Sequence, residues 1–271
     1  MLITHHAEAR AVLSDSRYVP PPVPQDGEPG TLAWLRAHVS RFSTGETHAE
    51  RRRLVVERLS ALDPAALRTA ARAATRDRRG DGDGNGDGNG DGNGDGNGDG
   101  DWRGVPTAVL GAALGVPDTS AVPAAASGYL SGEGSPQADA AVAELLALTD
   151  LPAVTLLLQG HAATEALIEN ALAHAVPGDD PEAVLRETLR QDPPLKASRR
   201  LDTRTGEEVT IDLVAANRDP EVFADPDRFD ASRAPAPHLT FGDGLRPCPA
   251  PAHALALAAG VLDTLLEGTR R

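Results

Sequence analysis

Between residues 80 and 101 the chain repeats Asp-Gly-Asn-Gly, with glycine at every second position. Glycine loses the most backbone freedom on ordering, and the run has no apolar side chain to bury apart from its edges. Neither helix nor strand can be stabilised there, so the run is expected to be a disordered linker. Whatever folds must be assembled from the segments on either side, here read as a single domain over residues 1–271. Asp81, Asp83, Asn85 and Gly86 do match the opening of a calcium-binding EF-hand loop. That loop ends on a bidentate glutamate at its twelfth position, where this chain has Gly92, so the calcium reading is set aside.

Hydrophobic residues make up 40% of the 271, but aromatics only 3%, so the core must come mainly from Ala, Leu and Val, which favours helices. A net charge of -14 repels phosphate backbones and argues against nucleic-acid binding. No stretch approaches the roughly 20 apolar residues that cross a bilayer. The N-terminus shows no basic segment followed by an apolar one. The expectation is a soluble, cytoplasmic chain with no membrane partner. One cysteine, Cys248, excludes an internal disulfide.

The spacing of apolar residues predicts helices over 8–13, 31–43 and 46–60. Asp63-Pro64 opens another, with Asp63 as cap and Pro64 in the first turn. Helical patterning resumes over 105–150, broken by a loop at Gly132 to Pro136. A long helix follows, capped by Asp150, and Asp180-Pro181 starts the next. Residues 195–215 change character: Thr205-Gly206 reads as a turn beside the β-formers of VTIDLV. Residues 216–250 are turn-rich, and 251–266 are helical again.

The most informative segment is FGDGLRPCPA, Phe241 to Ala250. Physically it is a loop with Gly242 and Gly244, then Cys248, then a helix starting near Pro251. Free N–H groups and the dipole at a helix start stabilise a thiolate and lower its pKa, and Arg246 adds charge nearby. From the residues alone, a metal-holding thiolate and an inert cysteine in a turn both stay open.

Phe241, Gly244, Arg246 and Cys248 stand at the spacing F-x-x-G-x-[RH]-x-C-x-G. In this the chain resembles the haem loop of cytochromes P450, with His238-Leu239-Thr240 similar to bacterial members; Ala250 replaces the last glycine. Glu187 and Arg190 match the family's E-x-x-R pair, which lie on one helix face and tether the Asn217-Arg218-Asp219-Pro220 segment. Ala215 to Asp230 resembles the stretch between that pair and the cysteine. His48 and Arg52 match H-x-x-x-R, whose side chains reach the haem propionates; Arg200 resembles a further propionate partner, with Arg199 its rival.

The resemblance implies a mainly α, P450-like fold with a small β region, shortened at the N-terminus, mid-chain and C-terminus. It implies haem b with Cys248 as axial ligand, a small organic substrate from secondary metabolism, and a monooxygenase-type oxidoreductase. A ferredoxin-type partner would deliver electrons against positive charge at Arg51, Arg53 and Arg246. One departure bears on the chemistry. The distal-helix signature [A/G]-G-x-[D/E]-T-T aligns with Gln159 to Thr164, so Ala162 and Ala163 replace the acid and alcohol that relay protons. Thr164 keeps a hydroxyl one residue on, and His161 is a candidate proton source. The alternatives are a haem-thiolate enzyme that does not use that relay (peroxide-dependent, rearranging or dehydrating) and a non-catalytic helper of another enzyme.

Overall fold

The computed structural model describes residues 1–80, 101–233 and 237–267, so the expected linker lies almost wholly outside the described residues. In chain order the elements are β1 (Leu2–Ile3), α1 (His6–Ser14), β2 (Tyr18–Val19), α2 (Leu32–His38) and a 3-10 turn (Ser40–Phe42). Then come α3 (Gly45–Ser60), α4 (Pro64–Arg79), α5 (Val105–Leu114), α6 (Val122–Ser127), α7 (Pro136–Leu148) and α8 (Leu151–Leu172). The last are α9 (Pro181–Gln191), β3 (Ala197–Asp202), β4 (Glu208–Asp212), α10 (Leu213–Ala216) and α11 (Pro251–Leu265). The architecture is mainly helical with one small sheet, as expected.

Helix starts follow local chemistry. Asp63, Asp150 and Asp180 each accept backbone N–H groups of the first turn, with a proline just inside. Gly80 ends α4 in the left-handed conformation, φ 74°. VTIDLV does not stay extended throughout: Asp212 caps the short α10, so the strand stops there.

The main core joins α2, α4 to α9 and α11 through Leu, Val and Ala. The tightest approach is α11 against α4. A Cβ at Gly260 would stand 2.3 Å from the Arg68 carbonyl oxygen, so only glycine lets the backbones meet there. Arg68 pairs with Asp263 across the same seam at 2.8 Å.

The sheet has the order β1-β4-β3-β2. Its inner hairpin is local, around the turn at Gly206. Its outer strands come from the N-terminus: β1 lies parallel to β4, and β2 antiparallel to β3. A second core, with Ile3, Val12, Leu13, Ile211 and Leu239, fastens the sheet and α1 to the loop ahead of Cys248.

Candidate functional site

α9 builds the frame. Glu187 and Arg190 are fully buried, and the guanidinium donates to both carboxylate oxygens at 2.6 and 2.9 Å. It also donates to the carbonyls of Asn217, Pro226 and Arg228. Glu187 in turn accepts the Asp230 N–H at 3.0 Å. Asn217, buried, accepts the Leu239 N–H at 2.7 Å and donates to Thr240 Oγ1. One buried ion pair thus pins residues 217–230, and through Asn217 the start of the cysteine loop.

The loop itself is shaped by two glycines. Gly242 and Gly244 have φ of 74° and 63°. A Cβ on Gly244 would lie within 2.6 Å of Ser14 Oγ and the Leu13 carbonyl oxygen. The Cys248 N–H donates to the Phe241 carbonyl at 2.6 Å, closing the loop. Cys248 Sγ accepts the Ala250 N–H at 3.4 Å, at the start of α11. The Ala250 N–H and the charges of Arg52 and Arg41 favour the thiolate, but burial outweighs them and raises the thiol pKa. The expectation of a lowered pKa is therefore corrected: desolvation wins over the helix start. Ala250 causes no strain. Its φ is -124°, and it packs beside Val55, Leu59 and Leu156.

Cys248 opens into a cavity of ≈ 530 Å³ between its loop, α3, β3 and α8. The lining includes His48, Arg52, Arg200, Phe241 and Arg246 from the sequence analysis, and Gly160, Ala163 and Thr164 of α8. Gly244 is structural, buttressed by α1. His238 is not on the cavity wall. Its ring packs on Phe241 with centroids 5.6 Å apart, its buried Nδ1 has no partner, and burial drops its pKa to about 4. His48 is likewise pushed down to about 4, first by burial and then by Arg246 and Arg52. Arg246 falls to about 10 through burial and the charges of Arg200, Arg52 and Arg41.

Two expectations change. His161 bonds through Nδ1 to Thr107 Oγ1 at 2.9 Å and faces Glu165, so it points to α5 rather than serving the cavity. A helix turns about 100° per residue, which sends 161 away from the wall that 160, 163 and 164 share. Ala162 is exposed. Of the three arginines expected to face an electron-delivering partner, Arg53 alone is neutralised, while Arg51 and Arg246 keep their charge but turn inward to neutral acceptors. Arg53 is held by Glu50 and Glu57. Arg51 reaches in to Ala37 and Ser43, and Arg246 donates to the carbonyls of Ser40 and Ser43. Finally, Arg41 and His253 line the cavity without having been picked out. No local pattern marks Arg41, on a 3-10 turn; His253 lies in the first turn of α11, the helix that follows Cys248, and could have been suspected on that ground.

No protein-family profile matches the chain. The biotin biosynthesis cytochrome P450 of Bacillus subtilis is 33% identical over 137 residues, 42% of this chain and 34% of that protein. The cytochrome P450 family protein EryCII of Saccharopolyspora erythraea is 41% identical over 152 residues, 48% of this chain and 41% of that protein. The chain thus matches less than half the length of these relatives. Among solved structures, P450BioI in complex with a hexadec-9Z-enoic acid-ligated acyl carrier protein superposes with a TM-score of 0.75 at 20% identity. That match covers 98% of this chain and 84% of that one. CYP154A1 from Streptomyces coelicolor gives 0.70 at 22% identity, over 97% and 82%. The shared fold defines the class, the helical architecture of P450 proteins with one small sheet. Over the part it spans, the chain is similar to bacterial members of the cytochrome P450 family.

The residues present fit the family's haem. One soft sulfur faces the cavity, its surroundings are largely apolar, and its charged side chains are all cationic. Cys248 could ligate iron, and His48, Arg52, Arg200 and Arg246 could meet the two propionates. The orphaned Nδ1 of His238 is a further polar group without a protein partner. Among the described residues no helix is long and apolar enough to cross a membrane.

Proposed function

We propose that the chain is a haem-thiolate oxidoreductase acting on a small organic molecule, with Cys248 as the axial ligand. The observation that carries this is the shared cavity. The only thiol in the chain opens on it opposite the α8 residues Gly160, Ala163 and Thr164, with unneutralised arginines along the side. Haem bound there supplies redox chemistry tuned by the sulfur. Cys248 donates electron density from a sulfur that also accepts the Ala250 N–H. Arg52, Arg200 and Arg246, with His48, would hold the haem propionates. The apolar wall from Leu110, Leu156 and Leu167 excludes water from the substrate.

Reconstituted with haemin, reduced and exposed to carbon monoxide, the protein is expected to give the strongly red-shifted Soret band of thiolate ligation, and Cys248→Ala to lose it. Protein that takes up no haem would sink the proposal. It would leave the helper reading, which the retained Cys248 and its shaped loop disfavour.

A second reading concerns the relay. At the cavity wall Ala163 presents a methyl group, which can neither hold nor pass a proton, and Ala162 faces outward. That favours chemistry without the usual dioxygen relay, such as peroxide-driven oxidation or rearrangement. Restoring Ala162→Glu with Ala163→Thr is expected to raise dioxygen-dependent turnover with a reductase by about 10²-fold, the lower end for a positioned proton donor. Turnover with peroxide should change little. Equal dioxygen turnover in both proteins would remove the argument from Ala163.

A further inference from the structure

Five arginines, Arg41, Arg52, Arg199, Arg200 and Arg246, line the cavity, and among the described residues no aspartate or glutamate does. In a chain of net charge -14 such a surplus of one sign is a local construction. On the reading above, haem brings two propionates, and Arg52, Arg200 and Arg246 with His48 would meet them. Arg41 and Arg199 are left over. Both are exposed while lining the cavity, so they stand at its mouth, and neither has a carboxylate partner among the described residues.

Behind them a third charge is locked in place. Arg36 is buried and donates to the carbonyls of Tyr129 at 2.9 Å and Leu130 at 3.4 Å, which are neutral acceptors. Arg36 and Arg41 flank one ring, with guanidinium carbons 4.6 and 6.0 Å from the Phe42 centroid. Burial first, then the charges of Arg199 and Arg41, depress the Arg36 pKa, which places all three in one field. An uncharged guest leaves that repulsion standing. An anion relieves it, and a carboxylate matches the planar guanidinium fork. Inward of the mouth the walls turn apolar, with Leu110, Leu130 and Leu167.

We propose that Arg41 and Arg199 form an anion subsite at the cavity mouth, which takes the carboxylate of an amphiphilic acid whose apolar body extends inward beneath α8. The inference deepens the proposed function and rests on it. It assigns the substrate class and two specificity-determining residues, and gives Arg199 a role other than propionate binding.

The test uses the haem-loaded protein, with two readouts on each sample: retained haem by Soret absorbance, and affinity by calorimetry. The probes are straight-chain carboxylates from octanoate to hexadecanoate, each against its matching primary alcohol. At least one acid is expected to bind about 10-fold more tightly than its alcohol. Arg41→Gln with Arg199→Gln should erase that preference while haem content and alcohol affinity hold; both residues are exposed, so folding should be unaffected. Arg41→Lys with Arg199→Lys should keep part of the preference. If no acid outbinds its alcohol, or the Gln pair leaves the preference intact, the subsite is refuted. If the Gln pair sheds haem instead, the two arginines serve the propionates and the inference fails alone. If the unmodified protein takes up no haem, the proposed function fails, and the inference with it.

Discussion

Arg190→Ala is expected to lower folding stability by about 3–5 kcal/mol, the usual cost of leaving one member of a buried ion pair without its counter-charge. Arg190 is 0% exposed and Glu187 1%. Removing the guanidinium leaves the Glu187 carboxylate only the more distant Arg233, at 3.4 Å, and strands the carbonyls of Asn217, Pro226 and Arg228. The measurement is the urea midpoint against the unmodified protein, at equal slope. Glu187→Ala should cost a similar amount. Glu187→Gln combined with Arg190→Met should cost less than the two losses summed, because neither side chain is then left charged and alone. Haem retention is expected to fall in step, since the same contacts hold Asn217 and through it Leu239. A loss below about 1 kcal/mol would mean that the pair behaves like an exposed one, against its burial.

The second large effect is at Gly244. Its φ of 63° is open to glycine but costs another residue about 1–2 kcal/mol. A Cβ would also meet the backbone of Leu13 and Ser14 at 2.6 Å. Overpacking of this kind adds about 1–3 kcal/mol. Backbone cannot rotate aside as a flexible side chain can, so the loop must move, carrying Cys248 with it. Gly244→Ala is expected to fold with α1 loosened and to lose most of the red-shifted carbon monoxide band. Gly242→Ala makes the useful comparison. Its left-handed φ of 74° is similar, but its nearest neighbour is 3.3 Å away, so it should be the milder change. A Gly244→Ala protein with an unchanged spectrum would show that α1 does not buttress the loop.

Much of this architecture was legible because it is written in short-range chemistry. Asp-Pro steps and capping aspartates announced α4, α8 and α9, and the structure shows each cap accepting the expected N–H groups. The Glu187 and Arg190 spacing suffices to put both on one face. What it cannot say is that the face is buried, which is what turns a common surface pair into the anchor of a long loop. β1 and β2 left no signal. They are two residues each, and they become strands only by pairing with β4 and β3 more than 180 residues away.

The site divides along the same line. The spacing from Phe241 to Cys248 and the order of the flanking motifs depend only on the covalent chain, so the candidate ligand, its loop and the cationic partners Arg52, Arg200 and Arg246 could be read from residues in a row. Tertiary structure decided the rest. It turned His161 toward α5, closed Arg53 between Glu50 and Glu57, brought Arg41 from a turn onto the cavity, and buried Cys248 deeply enough to raise its pKa. Direction, burial and field are sums over distant neighbours, and those neighbours meet only once the chain has folded.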